Sequence, residues 1–370
     1  SYHSADHIDC RMIAVPKDSR GPRLISVHPS EAIWVQQGQR AILERAIVSH
    51  SLTRGRINFD DQKINGSLAQ LSSLDQSYVT IDLKEASDRV GLDLVNYLFG
   101  SSSKYLCSTR ATRVALLDGR YEDLHMFAPM GNCLTFPVES LVFWSLVRAG
   151  ILCRHGQYCD DVYVFGDDII VPTKFYDGAI YGLVQAGLIP NMNKTFRHGF
   201  FRESCGVDAY LGINITPHRV KVSSIASYSD CLSLCSLAKS LRIDGFAETS
   251  AYLYSCVSRW LGKRLSLTNN PNCQGCCEYV DMEFGNLIRY ENRVLYDHDI
   301  QAYVVPILVP VKPIETITDH SWWHVQESLI NIARKYGIGE NSPYFSDRGL
   351  EYPSPRGERL SRGLSNLMLN

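Results

Sequence analysis

The spacing of apolar positions changes period several times along the chain, and each change predicts an element. Two β-like stretches in residues 11–27 are broken at Gly21-Pro22 and predict strand, loop and strand. PSEAIWVQQGQRAILERAIVSH (29–50) has helical spacing behind a Pro-Ser-Glu start signal. SYVTIDL (77–83) alternates β-branched and polar residues, which predicts a strand. In EASDRVGLDLVNYLFG, apolar positions 90, 94, 95 and 98 predict a helix ending at Gly100. A hairpin-like region at 111–128 leads to a glycine loop at 129–134, then to a helix near 137–152 with Pro137 in its first turn. CDDVYVFGDDIIV (159–171) predicts a hairpin, 174–188 a helix and 211–222 a β-like stretch. Beyond 230 the period is mostly helical, as in DCLSLCSLAKSLRI and TSAYLYSCVSRWLGKRL, until a Ser-, Pro-, Gly- and Arg-rich C-terminus that predicts a loose tail.

Composition narrows the class. A chain of 370 residues, 45% hydrophobic and 21% charged, suits a soluble globular protein of two or three packed units. No stretch approaches the roughly 18 uninterrupted apolar residues that span a bilayer, so no membrane partner is expected. SYHSADHIDCRMIAVPKD at the N-terminus has neither an initiator Met nor an apolar signal core, and we expect a partial reading frame. Twelve cysteines lack framework spacing, which points to reduced thiols. CQGCC (273–277) has no second half for a four-ligand zinc site and reads as surface-loop thiols. Trp34, Trp260, Trp322 and Trp323 are expected in the core. A net charge of −2 excludes a uniformly basic nucleic-acid binder, yet residues 11–56 hold eight Lys and Arg against three Asp and Glu. A basic patch beside an acidic centre suits handling of polyanions through metal ions.

Two acidic pairs interrupt the apolar run at 159–171. In the predicted hairpin, Gly166-Asp167 makes the turn and Asp168 begins the return strand, while Asp160-Asp161 lies before the first strand. At about 3.3 Å per residue the pairs are on the order of 16 Å apart, too far to share one metal centre. Asp160-Asp161 therefore reads as a solvated strand entry. Asp167-Asp168 is a repulsive pair that divalent cations would relieve. Asp82, ending a β-type run in TIDLKEASD, supplies a third carboxylate, with Asp88 across a turn. This pattern suits two-metal nucleotidyl transfer.

The motifs resemble a known family. VPKDSRGPR (15–23), DQKINGSLAQ (61–70), TIDLKEASD (80–88), MGNCLTFPVESLVFW (130–144), YVFGDDIIV (163–171) and NKTFRHGFFRESCG (193–206) are similar, in order, to segments of the RNA-dependent RNA polymerase of levivirus-type single-stranded RNA bacteriophages. The resemblance covers roughly residues 11–222 and implies an α+β right hand with an RRM-like antiparallel palm sheet. Its implied parts are partial fingers over 1–76 with a basic nucleotide-binding loop, a palm over 77–222 with an insertion near 101–128, a helical thumb over 223–339 and a loose tail over 340–370.

It implies template-directed RNA synthesis from ribonucleoside triphosphates, with Asp82, Asp167 and Asp168 holding two Mg²⁺ ions, for which Mn²⁺ substitutes. Lys17, Arg20 and Arg23 match a basic loop that holds the triphosphate, and Lys194 the position of a general acid for pyrophosphate. Asp88 falls near the incoming ribose, and Gly131, Asn132 and Thr135 shape the nucleotide pocket. Glu139 stands where many RNA-virus polymerases have Asn, which leaves Asn132 and Ser140 as candidates for the sugar-sensing partner. Arg202 is a candidate for backbone phosphate or for pairing with Glu203 or another carboxylate. Expected partners are template and nascent RNA, host translation elongation factors Tu and Ts and a ribosomal protein, in the cytoplasm of an infected bacterium. Relatives usually carry more chain before the basic loop, so this segment alone is expected to be poorly active. A reverse transcriptase is a rival reading, although LKEAS after Asp82 offers no aromatic gate. A non-catalytic RNA-binding descendant is another, against which the intact Asp82, Asp167 and Asp168 speak.

Overall fold

The computed structural model describes residues 8–18, 21–311, 352–353 and 359–368, and the chain divides into two compact units at Pro217/His218. The division falls five residues before the 222/223 boundary read from the sequence. Each unit mixes helices and sheets, and the fold class is α+β as expected.

The first unit opens with two paired strands, β1 (Asp9–Asp18) and β2 (Gly21–Val27), running from Arg11↔Val27 to Asp18↔Gly21, so the break expected at Gly21-Pro22 falls inside β2. The helix α1 (Ser30–Ser49) buries Ala32, Gln36, Gln39 and Ile47. Gln36 Nε2 donates to the Thr109 carbonyl at 2.9 Å, and Gln39 Oε1 accepts from Thr109 Oγ1 at 2.7 Å. These buried amides fix which face of α1 turns inward. Trp34 consequently stands on the outer face, 62% exposed, against the core position expected for it. Trp260 is exposed as well, and Trp322 and Trp323 lie outside the described residues.

The helix α2 (Lys63–Asp75) leads into β3 (Tyr78–Ile81) and β4 (Leu83–Lys84). Where a single helix was expected, residues Ser87–Arg89 make one 3₁₀ turn and α3 (Leu92–Phe99) starts only at Leu92, before a short α4 (Ser103–Cys107). The interruption has a cause: Phe127 N–H donates to the Val90 carbonyl at 2.7 Å and Leu92 N–H to the His125 carbonyl at 3.0 Å. Those bonds hold Val90 and Gly91 extended. The hairpin of β5 (Arg113–Ala115) and β6 (Tyr121–Asp123) joins the first one in a sheet of order β2-β1-β5-β6.

The centre of the unit is α5 (Thr135–His155), followed by β7 (Tyr163–Phe165), β8 (Asp168–Pro172) and α6 (Tyr176–Gln185). By length and hydropathy α5 could cross a bilayer. Here its apolar residues Val138, Val142, Phe143, Val147 and Ile151 are buried with Val79, Ile81, Ile169, Val171 and Leu183 in one cluster. Burial of such side chains contributes about 1.5–3 kcal/mol each. The antiparallel sheet of order β3-β8-β7 lies in this core. Next, β9 (Ile189–Pro190) pairs with β4, and β10 (Phe201–Ser204), β11 (Val207–Tyr210) and β12 (Ile213–Asn214) form a third sheet. Of the β-like stretch expected over 211–222, only β12 is strand. The pairing strand was missed upstream, in FRES.

The second unit starts with α7 (Tyr228–Ile243), capped by Ser227 Oγ accepting from Asp230 N–H at 3.2 Å, and α8 (Ala247–Leu261). It is less helical than expected. β13 (Ser266–Thr268) and β14 (Cys277–Tyr279) pair in parallel, α9 (Phe284–Tyr290) follows, and β15 (Leu295–Asp297), β16 (Ala302–Val311), β17 (Tyr352–Pro353) and β18 (Arg359–Asn366) make a sheet of order β15-β16-β18-β17. The expected loose tail is corrected at 359–366, where β18 pairs along β16 from Val311↔Arg359 to Val304↔Asn366. The rest of 340–370, apart from 352–353 and 367–368, lies outside the described residues.

CQGCC is no surface loop either: Cys273, Cys276 and Cys277 are all buried. Cys276 and Cys277 are consecutive at the start of a strand, so their side chains take opposite faces. Cys276 joins Cys231 and Cys235 in one apolar cluster, and Cys277 joins Cys273 in another, with sulfurs 3.2 Å apart. The thiols part into two groups instead of converging on one metal.

Candidate active site

The β3/β8 register explains how remote carboxylates meet. Pairing runs Tyr78↔Pro172, Val79↔Val171, Thr80↔Ile170 and Ile81↔Ile169. Asp82 and Asp168 each stand one residue beyond the last pair of this register. Phe165↔Asp168 closes the β7/β8 hairpin, leaving Gly166-Asp167 as its two-residue turn, as expected. Gly166 adopts φ +63°, the left-handed region that a side chain disfavours, and a Cβ there would lie 2.3 Å from the Phe136 ring. Its N–H donates to Ser140 Oγ at 3.1 Å, so α5 fixes the turn from below.

Each carboxylate has its own donors. Asn191 holds Asp82 twice, through Nδ2 to Oδ2 at 2.7 Å and through its N–H to the Asp82 carbonyl at 2.8 Å. Asp168 accepts from Ser204 Oγ at 3.3 Å and from the Cys205 N–H at 3.2 Å. Cys205-Gly206 is the tip of the β10/β11 hairpin, with both residues at positive φ. Asp167 is exposed at the turn.

The electrostatics follow from this crowding. Burial, then the charge of Asp167, pushes the Asp168 carboxyl up to about 6 against the Ser204 and Cys205 donors. Burial likewise raises Asp82; the Asn191 hydrogen bond and the Lys194 charge oppose it, while Asp167 and Glu203 add to it. Among the described residues, no three His, Cys, Asp or Glu side chains already stand as a metal-holding group. The donors still fit hard divalent cations: the three are oxygen ligands, and a cation relieves their shared like-charge penalty.

The other expected residues divide. Lys194 pairs with Glu203 at 3.3 Å and acts electrostatically on Asp82. Asp88 lies in the 3₁₀ turn after β4, exposed. Gly131, at φ +112°, passes so close to β2 that a Cβ would lie 2.0 Å from the Ser26 carbonyl oxygen. Ser26 N–H and Oγ both donate to the Met130 carbonyl, at 2.7 and 2.9 Å, tying the glycine loop to the basic hairpin. Asn132 Oδ1 accepts from Leu134 N–H at 2.8 Å, and Thr135 Oγ1 donates to the Pro129 carbonyl at 3.0 Å, so both shape the loop from within. Arg23 is exposed on β2, Lys17 is carried by the backbone of β1, and Arg20 lies outside the described residues.

Arg202 requires correction. It is fully buried and donates to the carbonyls of Tyr78, Gly199 and Phe201, at 2.9, 2.9 and 2.7 Å. A guanidinium so enclosed meets neither phosphate nor Glu203; it braces β10 against β3. Asp160 and Asp161 are exposed, as expected, and face Arg148 at 2.9 Å and Arg56 at 3.8 Å.

Sequence reasoning missed Asn191, Ser204 and Cys205 as carboxylate holders. Their only signal was position in NMNK and FRESCG, next to residues already singled out.

Comparison with known proteins extends the motif match. Residues 4–274 match the family described as RNA replicase, beta-chain. The RNA-directed RNA polymerase beta chain of Escherichia phage MS2 is 35% identical over 211 residues, 57% of this chain and 37% of its own length. The corresponding chain of Enterobacteria phage fr is 32% identical over 65% of this chain and 43% of its own length, and the beta subunit of Escherichia virus Qbeta is 31% identical over 74% and 48%. The chain thus spans less than half the length of these relatives. Among solved structures, the insertion-loop deletion mutant of the RNA-dependent RNA polymerase of a human picorbirnavirus aligns with TM-score 0.46 at 10% identity, over 68% of this chain and 57% of that one. A telomerase from Candida albicans aligns with TM-score 0.43 at 12% identity, over 70% and 56%. The family match, which takes in residues 4–274, covers well over half of the chain: the chain belongs to the RNA replicase beta-chain family.

Proposed function

We propose that this chain carries the catalytic centre of template-directed RNA synthesis, joining ribonucleoside triphosphates by nucleotidyl transfer. The observation that supports the reading is the β3/β8 register, whose last pair, Ile81↔Ile169, stands one residue from both Asp82 and Asp168. On this reading Asp82, Asp167 and Asp168 hold two Mg²⁺ ions, or Mn²⁺ in their place. Bound there, the ions would lower the barrier to attack by the RNA hydroxyl and offset charge on the leaving pyrophosphate.

The chain's own side chains supply the rest. Asn191, Ser204 and the Cys205 N–H orient the carboxylates. Lys17, Arg20 and Arg23 supply positive charge for the triphosphate, because cations close together in the chain neutralise several phosphate oxygens at once. Lys194, held beside Asp82 by Glu203, gives a proton to pyrophosphate. Asp88, Gly131, Asn132 and Thr135 border the nucleotide.

The resemblance extends the reading to template and nascent RNA, to elongation factors Tu and Ts and a ribosomal protein as partners, and to the host cytoplasm as the setting. RNA synthesis on a defined template with Mg²⁺ or Mn²⁺, comparing the wild type with Asp167→Asn, tests it. Loss of synthesis with retained RNA binding is the expected result; unimpaired synthesis by the variant would refute the assignment. Binding should weaken steeply with salt, since phosphate contacts release counterions.

A further inference from the structure

Cys231, Cys235, Cys273, Cys276 and Cys277 of the second unit are all buried as free thiols, and two of them differ from the rest in their surroundings. Cys276 joins Cys231 and Cys235, where a hydrogen bond to Cys276 and then burial push the Cys235 thiol up. Cys273 and Cys277 join the other cluster, their sulfurs 3.2 Å apart at the turn between β13 and β14.

Polar groups from three elements converge on the Cys273 sulfur. The Cys277 S–H, at the start of β14, and the Ser365 hydroxyl, on β18, donate to it, and the Lys239 ammonium, on α7, acts on it electrostatically. The same ammonium donates to the Cys273 carbonyl at 2.9 Å, which fixes the lysine beside the turn. The Cys277 bond above all, then Ser365 and Lys239, hold Cys273 below the usual thiol value against the effect of burial. That same bond, then burial, pushes Cys277 up. Apolar packing alone calls for none of these partners. One sulfur with thiolate character beside a second that keeps its proton is the division of labour of a dithiol oxidised in two steps. Cys273 is also the more open of the two, 8% exposed against 4%, so a small uncharged oxidant reaches it first.

We propose that Cys273 and Cys277 are a thiol–disulfide site, oxidised by a peroxide to an intramolecular disulfide. The Cys273 thiolate attacks one oxygen of hydrogen peroxide and the O–O bond breaks. Cys273 becomes a sulfenic acid, and the departing hydroxide takes up the proton that Cys273 gave away. The Cys277 sulfur then attacks the sulfenic sulfur, the S–O bond breaks, and the hydroxyl leaves with the Cys277 proton as water. Two thiols lose two electrons, and one peroxide becomes two waters. The sulfurs close only from 3.2 Å to about 2 Å.

Hydrogen peroxide titrated against the reduced 370-residue chain tests this, with thiols alkylated after denaturation and mapped by peptide mass spectrometry. The peptide that carries residues 273–277 should appear two hydrogens lighter, with Cys276 alkylated and both Cys273 and Cys277 closed to alkylation. Dithiothreitol should restore both thiols. The exposed Cys153 is the dose control: the disulfide should be complete before about half of Cys153 is oxidised. Cys277→Ser should raise dimedone capture of sulfenic acid at Cys273 at least about tenfold over the wild type, because the resolving thiol is gone. Cys277→Ala serves if the Ser variant does not fold, judged by its thermal melt. Oxidation of Cys153 while Cys273 and Cys277 stay reduced overturns the proposal. So does a bond from Cys273 to any cysteine other than Cys277, or dimedone capture no higher in the variants than in the wild type. Direct passage of wild-type Cys273 to a sulfinic acid, which dithiothreitol does not reverse, overturns it as well.

Discussion

Asp160-Asp161 and Asp167-Asp168 are the same dipeptide, seven residues apart, on one hairpin. The first pair is solvated, and each member faces an arginine. The second has Asp168 desolvated by the β10/β11 hairpin and supplied with neutral donors, and the Asp167 charge acts on it. What separates them is packing, not residue type. Water and arginines satisfy the outer pair within the protein, whereas the inner pair retains an electrostatic cost that a ligand can relieve.

The largest expected contrast is catalytic. Asp167→Asn or Asp168→Asn should reduce RNA synthesis at least about a hundredfold, because cation-assisted transfer supplies several kcal/mol. Asp160→Asn and Asp161→Asn should leave it within about twofold. Equal losses in a single-turnover assay would erase the distinction. Next in size is where a cation sits. With Fe²⁺ in place of Mg²⁺ and a peroxide, backbone cleavage should cluster near residues 82 and 167–168 and spare 160–161. Cleavage centred on 160–161 would reverse the assignment.

Stability against pH sharpens the comparison further. Glu139, pushed up to about 8 by burial and then by Asp167 and Asp88, binds its proton more tightly folded than unfolded. Native stability is therefore fully present below the unfolded value near 4.5 and declines as pH rises towards 8. Glu139→Gln should raise Tm by several degrees at pH 8 in metal-free protein and by much less at pH 5. Asp168→Asn should behave alike over a lower window, from the usual 3.8 to about 6. A pH-independent gain in thermal melts would contradict both. The smallest effect belongs to the outer pair: Asp160→Ala removes an exposed bridge to Arg148 and should cost no more than about 1 kcal/mol in urea unfolding.

Much of this site was legible in the sequence because its geometry is local or follows from strand register. The Gly166-Asp167 turn, the Asp82 strand end and the solvated Asp160-Asp161 all come from alternation and turn chemistry. Burial of polar groups was not legible. Arg202 reads as a phosphate contact, yet it is enclosed by the carbonyls of Tyr78, Gly199 and Phe201, one of them more than a hundred positions away. Glu139 reads as a departure from a pattern, and only the fold shows that it is buried, with no partner for its Oε2 among the described residues. The helix expected after Asp82 failed at Val90-Gly91 because 125–127 capture that backbone, a non-local competition that periodicity cannot register. Past residue 262, short strands lie between helices, and alternation over three residues is too brief to separate from helical spacing.

Asn191 grips Asp82 by main chain and side chain together, and its carbonyl accepts from the Lys194 N–H at 2.9 Å. The acidic residue and the amine are thus mounted on a common frame. On the proposed reading, a ligand that draws on the Lys194 ammonium would strain, through Asn191, the orientation of the Asp82 carboxylate beside it.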